Sequence, residues 1–211
     1  MPPRIVSLAL AFAALASALV AQEAEEGFVA LTDGKSFNGW KASTENPGTW
    51  KLEDGAFVSR GPRSHLFYVG DGQPFKNFEL KVEVMTEPGS NGGIYFHTKY
   101  QETGWPKAGF ETQVNNTQSD WRKTGSVYAI ASTGLAAATD NKWWTQHVIV
   151  QGNKVTVKID GKVAVEYVEP AGTQAGGDFE RKLGSGTFAL QGHDPKSIVH
   201  YRNIRVKRLP D

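Results

Sequence analysis

Cysteine is absent from the 211 residues. That excludes disulfides, thiolate metal sites and a thiol nucleophile, and it excludes a lipid-bearing cysteine at a leader cleavage site. Net charge is missing too, since 23 Lys and Arg stand against 22 Asp and Glu. A near-neutral chain gives no electrostatic reason to expect nucleic acid or an anionic membrane as partner. Beyond Ala21 no apolar run is long enough to span a bilayer, so no membrane anchor is expected. There is no Gly-x-Ser-x-Gly elbow, no phosphate loop and no HExxH. His65, His97, His147, His193 and His200 are too dispersed for spacing to name a metal site.

What the chain does have begins with MPPRIVSLALAFAALASALVA. One basic residue, Arg4, precedes a run of small and apolar residues with small-residue cleavage sites after Ala18 and Ala21. This reads as a secretory signal peptide over residues 1–21, which predicts export to the periplasm or the extracellular space. A short acidic linker follows over 22–27. The remaining length, roughly 190 residues, suits one well-filled domain. Without disulfides its stability must come from packing, and 6 Trp with 11 Phe supply the bulk.

The periodicity is that of strands almost throughout. In Asn77–Met85, NFELKVEVM, the apolar Phe78, Leu80, Val82 and Val84 alternate with Glu79, Lys81 and Glu83. Asp54-Gly55 and Asp160-Gly161 each suit a type I′ turn and predict hairpins over Thr49–Arg60 and Lys154–Val168. Trp144–Val150 precedes the second of these. Further strands are expected at His65–Val69, Gly93–Thr98, Phe110–Asn115, Ser126–Ile130, Gly186–Gln191 and Ile198–Lys207. Gly134–Asp140 alone has the alanines for a helical turn. About a dozen short strands predict an all-β chain, a two-sheet jelly-roll sandwich of the concanavalin A-like lectin and glucanase type.

Some strand faces carry an unusual polar set. Glu111 and Gln113 alternate with Phe110, Thr112 and Val114; Gln191 and His193 alternate at the end of TFALQGH; His200 and Arg202 alternate on IVHYRNIRV. GGIYFHT places Tyr95 and His97 on one face, and Asn91 precedes it. Solvated strand faces are usually built of Lys, Glu and Thr, whereas amides, imidazoles and aromatic rings match sugar hydroxyls and pyranose faces. For any single Gln or Asn an ordinary solvated role competes, and a histidine serves structure as readily as catalysis. His65, His147 and His200 read as structural or exposed. A glucanase of this fold needs two carboxylates close together on one strand. Glu111 stands alone on its strand, which disfavours paired-carboxylate hydrolysis.

The blocks FVALTDGKSFNGW, TWKLEDGAFVS, FELKVEVM, SNGGIYFH, GFETQVNN, TGSVYAI, FALQGHD and YRNIRVK occur in this order between Phe28 and Lys207. In them the chain resembles the 3-keto-disaccharide hydrolase domain family, over residues 28–207, with 208–211 as a tail. The resemblance implies a jelly roll acting on a small-molecule carbohydrate, a glycoside already oxidised to a ketone at C3. A C3 carbonyl acidifies the C2 proton, so elimination of the C1 substituent followed by hydration gives net hydrolysis without a glycosyl nucleophile. Carried residue by residue, it makes Glu111 and His193 the proton-transfer candidates. Gln113, Asn91, Tyr128, Gln191, Arg202 and His97 become substrate-binding candidates, with Arg202 on the keto or enolate oxygen. His97 stands where many members carry Arg, and Asn116 where many carry Asp. The sequence specifies no cofactor; a divalent metal polarising the ketone is compatible with the resemblance, but no spacing picks its ligands. A sugar-binding module that has lost catalysis is the alternative reading, and Glu111 favours the enzyme. Oligomeric state carries no signal in the sequence.

Overall fold

The structure, a computed structural model, describes residues 25–211. The expected leader at 1–21 and linker residues 22–24 lie outside the described residues. Among those described, thirteen strands build two packed antiparallel sheets, the expected jelly-roll sandwich. The larger sheet contains β1 (Val29–Ala30), β3 (Trp50–Glu53), β4 (Ala56–Arg60), β6 (Phe78–Thr86), β9 (Trp144–Gln151), β10 (Lys154–Ile159), β11 (Lys162–Val168) and β13 (Ile198–Arg208). Its order is β11-β10-β9-β6-β13-β4-β3, with β1 paired to β13. The smaller sheet runs β2 (Trp40–Ala42), β5 (Ser64–Tyr68), β12 (Thr187–Gly192), β7 (Asn91–Thr98) and β8 (Phe110–Asn115). Both Asp-Gly turns form as expected, with Asp54, Gly55, Asp160 and Gly161 all at positive φ.

The core lies between the sheets because each strand turns its apolar alternates inward. Phe78, Leu80, Val82 and Val84 of β6 join Phe188 and Leu190 of β12, Ile94 and Phe96 of β7, and Phe110 and Val114 of β8 in one cluster. Phe96 stacks on Phe110 with ring centroids 5.4 Å apart. Each fully buried Phe contributes roughly 1.5–3 kcal/mol. Two polar side chains pin the smaller sheet from within this core. Gln146 of β9 donates from Nε2 to Thr112 Oγ1 at 3.0 Å and to the Gln113 carbonyl at 3.3 Å. The Tyr201 hydroxyl of β13 donates to the Gln191 carbonyl at 2.9 Å.

The other face of the smaller sheet is not wet. Every residue of β7 and β8 is buried, because the segments 99–109, 117–143 and 170–186 fold over the outer side. The expected strand at Ser126–Ile130 is instead a turn, with Val127 bridging Thr112 and Ala131 and with Ala129 at φ 59°. The hydrogen bonds of that segment go to β8: Tyr128 N–H donates to the Glu111 carbonyl at 2.9 Å. Gly134–Asp140 forms no helix. No helix among the described residues is long and apolar enough to cross a membrane.

Candidate active site

Strand register assembles the site. Tyr95 lies opposite Glu111, and Gly93 opposite Gln113. On the other side of β7, Gln191 lies opposite Gly93, and beyond it His65 lies opposite Gln191. Residues two apart share a strand face, so Gln113, Gly93, Gln191 and His65 form one row and Glu111, Tyr95, Ala189 and Phe67 the next. The outer loops leave a cavity of about 520 Å³ above these rows. Asn91, Tyr95, Glu111, Gln113 and Gln191 line it from the sheet, and His193 from just beyond β12; Trp105, Asp120, Tyr128, Ala129, Phe179 and Arg181 line it from the loops.

At its floor Glu111 is almost wholly buried. Tyr95 Oη donates to Glu111 Oε2 at 2.8 Å, and Gln191 Nε2 donates to Oε1 at 2.9 Å. Burial raises the Glu111 pKa above the usual carboxylate range, against the opposing pull of Tyr95, Arg181, Gln191 and His193. Burial, together with the Glu111 charge, holds the Tyr95 hydroxyl well above its ordinary value, so it remains a donor. The carboxylate has room because position 93 is glycine: a β-carbon there would stand 2.5 Å from Glu111 Oε1.

Beside Glu111, Gln113 Nε2 donates to Asn91 Oδ1 at 3.0 Å. Gln113 Oε1 and Gln191 Oε1 are buried without a partner. Both are acceptors suited to a ligand hydroxyl, because a buried amide oxygen left alone is costly. His193 follows β12, with Nδ1 2.7 Å from Asp194 Oδ2 and its ring 5.3 Å from that of Trp105. Asp194 also accepts from Ser197 Oγ at 2.8 Å. Burial pushes the Asp194 carboxyl up, but the bonds from His193, Ser197 and the Lys196 N–H outweigh it and hold the pKa below the ordinary value. The pair fixes the imidazole so that Nε2 is the nitrogen left for a ligand. No group of three or more metal-ligating side chains converges among the described residues.

Six of the residues singled out from sequence therefore share one cavity: Glu111, His193, Gln113, Asn91, Tyr128 and Gln191. Arg202 does not join them. Its strand belongs to the larger sheet, where Nε meets Glu83 Oε2 at 2.8 Å and the guanidinium lies 3.8 Å from the Trp143 ring. His97 does not join them either. It takes a left-handed φ of 54°, which breaks the alternation that would place it beside Tyr95. Its Nε2–H donates to the Lys76 carbonyl at 2.8 Å, while Nδ1 accepts from Gly184 N–H at 3.2 Å. Burial depresses its pKa, which favours this neutral form. Asn116 ties Thr86 to Thr124 and is structural.

Sequence periodicity misses the loop residues Trp105, Asp120, Phe179 and Arg181, for loops have no period to read. The available signal is compositional: a tryptophan and an aromatic-basic pair inside otherwise small, polar connections. Asp120, the second carboxylate of the wall, is held by Arg122 through Nη1 at 3.4 Å and the backbone N–H at 2.9 Å.

The family described as the 3-keto-alpha-glucoside-1,2-lyase-like domain matches residues 27–207. A 3-keto-disaccharide hydrolase of Bacteroides thetaiotaomicron is 35% identical over 79 residues, covering 34% of this chain and 27% of that protein. The matched stretch thus spans about a quarter of that relative's length. A protein of Parabacteroides distasonis ATCC 8503, named as a candidate glycosyl hydrolase, has a TM-score of 0.72 at 23% identity, covering 88% of this chain and 95% of that one. A carbohydrate-binding module from Bacillus subtilis has a TM-score of 0.59 at 13% identity, covering 81% and 96%. At these identities the two solved structures speak to the fold alone. With the family match extending over nearly the whole described chain, the protein belongs to the 3-keto-alpha-glucoside-1,2-lyase-like domain family.

Proposed function

We propose that this chain is an exported enzyme that cleaves 3-keto-glycosides by C2 proton abstraction, elimination and hydration. The observation that carries this reading is the buried Glu111, its pKa raised, in a cavity that also holds His193 with its Asp194 partner. Export rests on the leader-like residues 1–21.

His193 acts as the base. With Nδ1 committed to Asp194, its Nε2 lone pair takes the C2 proton. Glu111 acts as the acid, because burial favours its protonated form and so equips it to protonate the departing oxygen. The C2–H pair enters an enolate C2–C3 double bond while the carbonyl pair moves onto the C3 oxygen. As the carbonyl re-forms, the double bond shifts to C1–C2, the C1–O bond breaks and its pair leaves with the aglycone oxygen. Water then adds at C1 and a proton returns to C2, so the sum is hydrolysis. Gln113, Gln191 and Asn91 hold the sugar hydroxyls, and the rings of Trp105 and Tyr128 flank the pyranose.

The test uses the 3-keto form of an aryl glucoside beside its unoxidised parent, in deuterium oxide. Aglycone release from the keto form alone, with deuterium at C2 of the product, is the expected result. Equal cleavage of the parent, or product without deuterium at C2, overturns the mechanism. Binding without any release supports the second reading, a sugar-binding module, which the aromatic wall of Trp105, Tyr128 and Phe179 favours.

A further inference from the structure

We propose that Arg181 is the group that binds the C3 carbonyl oxygen and holds the charge gathered there when the C2 proton leaves. This rests on the elimination reading above and adds to it a catalytic residue. Removing the C2 proton sends the C2–H pair into a C2–C3 double bond and the carbonyl pair onto oxygen. That oxygen needs donors, and a fixed cation beside a buried floor stabilises it more than bulk water would.

The wall offers few such donors. Tyr95 Oη is spent on Glu111, and the Gln191 amide hydrogens go to Glu111 and Tyr95. The Gln113 amide gives one hydrogen to Asn91, and the donors left over, among them Asn91 Nδ2, are neutral. Arg181 is the single Lys or Arg among the described residues lining the cavity. Its guanidinium lies 5.0 Å from the Phe179 ring and 6.0 Å from that of Tyr128, with no carboxylate or hydrogen-bond partner among the described residues. Its charge bears on both Glu111 and Tyr95, so it sits within electrostatic reach of the reacting groups. Arginine is normally paired or solvated at a protein surface; here a half-buried guanidinium lines a cavity that also carries acceptors.

The backbone is built to keep it there. Arg181 has φ 41°, a left-handed conformation that an arginine adopts only when its neighbours enforce it. The strap around it, residues 170–186, is fastened on both sides. Glu180 N–H donates to the Lys107 carbonyl at 2.9 Å, Leu183 N–H to Glu169 Oε2 at 2.7 Å, and Gly184 N–H to His97 Nδ1 at 3.2 Å. Residues 174–180 of the strap are exposed, whereas Arg181 and Leu183 are half-buried. His97 is thereby a positioning residue for the strap, and Arg181 takes the role that the sequence suggested for Arg202.

In the full cycle, His193 receives the C2 proton and Arg181 donates N–H bonds to the oxyanion. The oxygen pair then re-forms the carbonyl, the enolate double bond moves to C1–C2, and the leaving oxygen takes the Glu111 proton. Arg181→Ala should therefore slow C2 exchange and aglycone release together, on the order of 10²–10³-fold. Binding of the unoxidised glucoside should change far less. Added guanidinium ion, well below denaturing concentrations, should restore part of both rates, and Arg181→Lys should fall between. An Arg181→Ala enzyme that exchanges C2 normally but releases aglycone slowly overturns the assignment, placing Arg181 on the leaving group. A loss that guanidinium leaves untouched overturns it as well. Wild type that neither exchanges nor releases takes down the elimination reading itself, which separates the two failures.

Discussion

Glu111 occupies the volume that a side chain at position 93 would need: a β-carbon on Gly93 would sit 2.5 Å from Glu111 Oε1 and 2.8 Å from its Cγ. The carboxylate lies across the backbone of β7 instead of above a neighbour's side chain. Gly93→Ala must therefore push the carboxylate off Tyr95 and Gln191. Misplacing a reacting group by about 1 Å costs roughly 10²-fold in rate. Steady-state kinetics should show a kcat loss of about that size, while the midpoint of thermal unfolding drops by only a few degrees, on the order of 1–2 kcal/mol.

Glu111 should set activity against stability as pH changes. Its folded pKa lies above the unfolded value of 4.5, so between those two values the folded state binds more protons than the unfolded. Stability then falls as pH rises through that window. Glu111→Gln should remove this cost and raise the denaturation midpoint at neutral pH, while abolishing the acid step. Tyr95→Phe deletes a bond that lowers the Glu111 pKa, so the alkaline limb of the rate profile should move to higher pH. A limb that moves down or stays put removes Glu111 from the acid role.

His65 predicts the opposite slope. It is buried among the rings of Phe67, Tyr95 and Trp105, and neither ring nitrogen has a partner. Burial, with the nearby Arg63 charge, pushes its pKa down to about 3. The unfolded chain takes up a proton near 6.5 and the folded chain does not, so stability is present above 6.5 and lost as pH falls toward about 3. Every tenfold weakening of proton affinity on folding corresponds to about 1.4 kcal/mol of that loss. His65→Phe should flatten the loss in urea titrations at acid and neutral pH, and an unchanged slope would refute it.

Arg202→Gln should spare activity. The side chain serves Glu83 and Trp143 on the larger sheet, and a partly exposed pair of this kind contributes up to about 1 kcal/mol. Rates on a 3-keto-glycoside should stay within about twofold of wild type, given the size of ordinary surface effects. A loss comparable to that of Arg181→Ala would put Arg202 back in the reaction.

Alternation makes much of this arrangement legible in the sequence. Period-2 strands place Glu111 and Gln113 on one face, and register brings Asn91 and Gln191 to the same side of the smaller sheet. Alternation names a face but not a sheet, which is why Arg202 reads as equivalent to Gln191. It also assumes an extended backbone, and the left-handed turn at His97 ends that assumption one residue early. Tyr128 lines the cavity from a different element than expected, since its segment is a turn hydrogen-bonded along β8. Arg181 and Trp105 sit on connections whose course is set by distant anchors, and no local pattern encodes those.

The two polar pins through the core, Gln146 onto β8 and Tyr201 onto the Gln191 carbonyl, bind the cavity floor to the opposite sheet. A floor fastened in this way has no melting transition separate from that of the sandwich. Heat should leave Glu111 and Gln191 aligned until the whole domain unfolds, so any inactivation that precedes global denaturation should arise in the strap and not in the floor. The strap, fastened through Glu180, Leu183 and Gly184 and not through the two pins, is the part of the site free to diverge without unseating the floor.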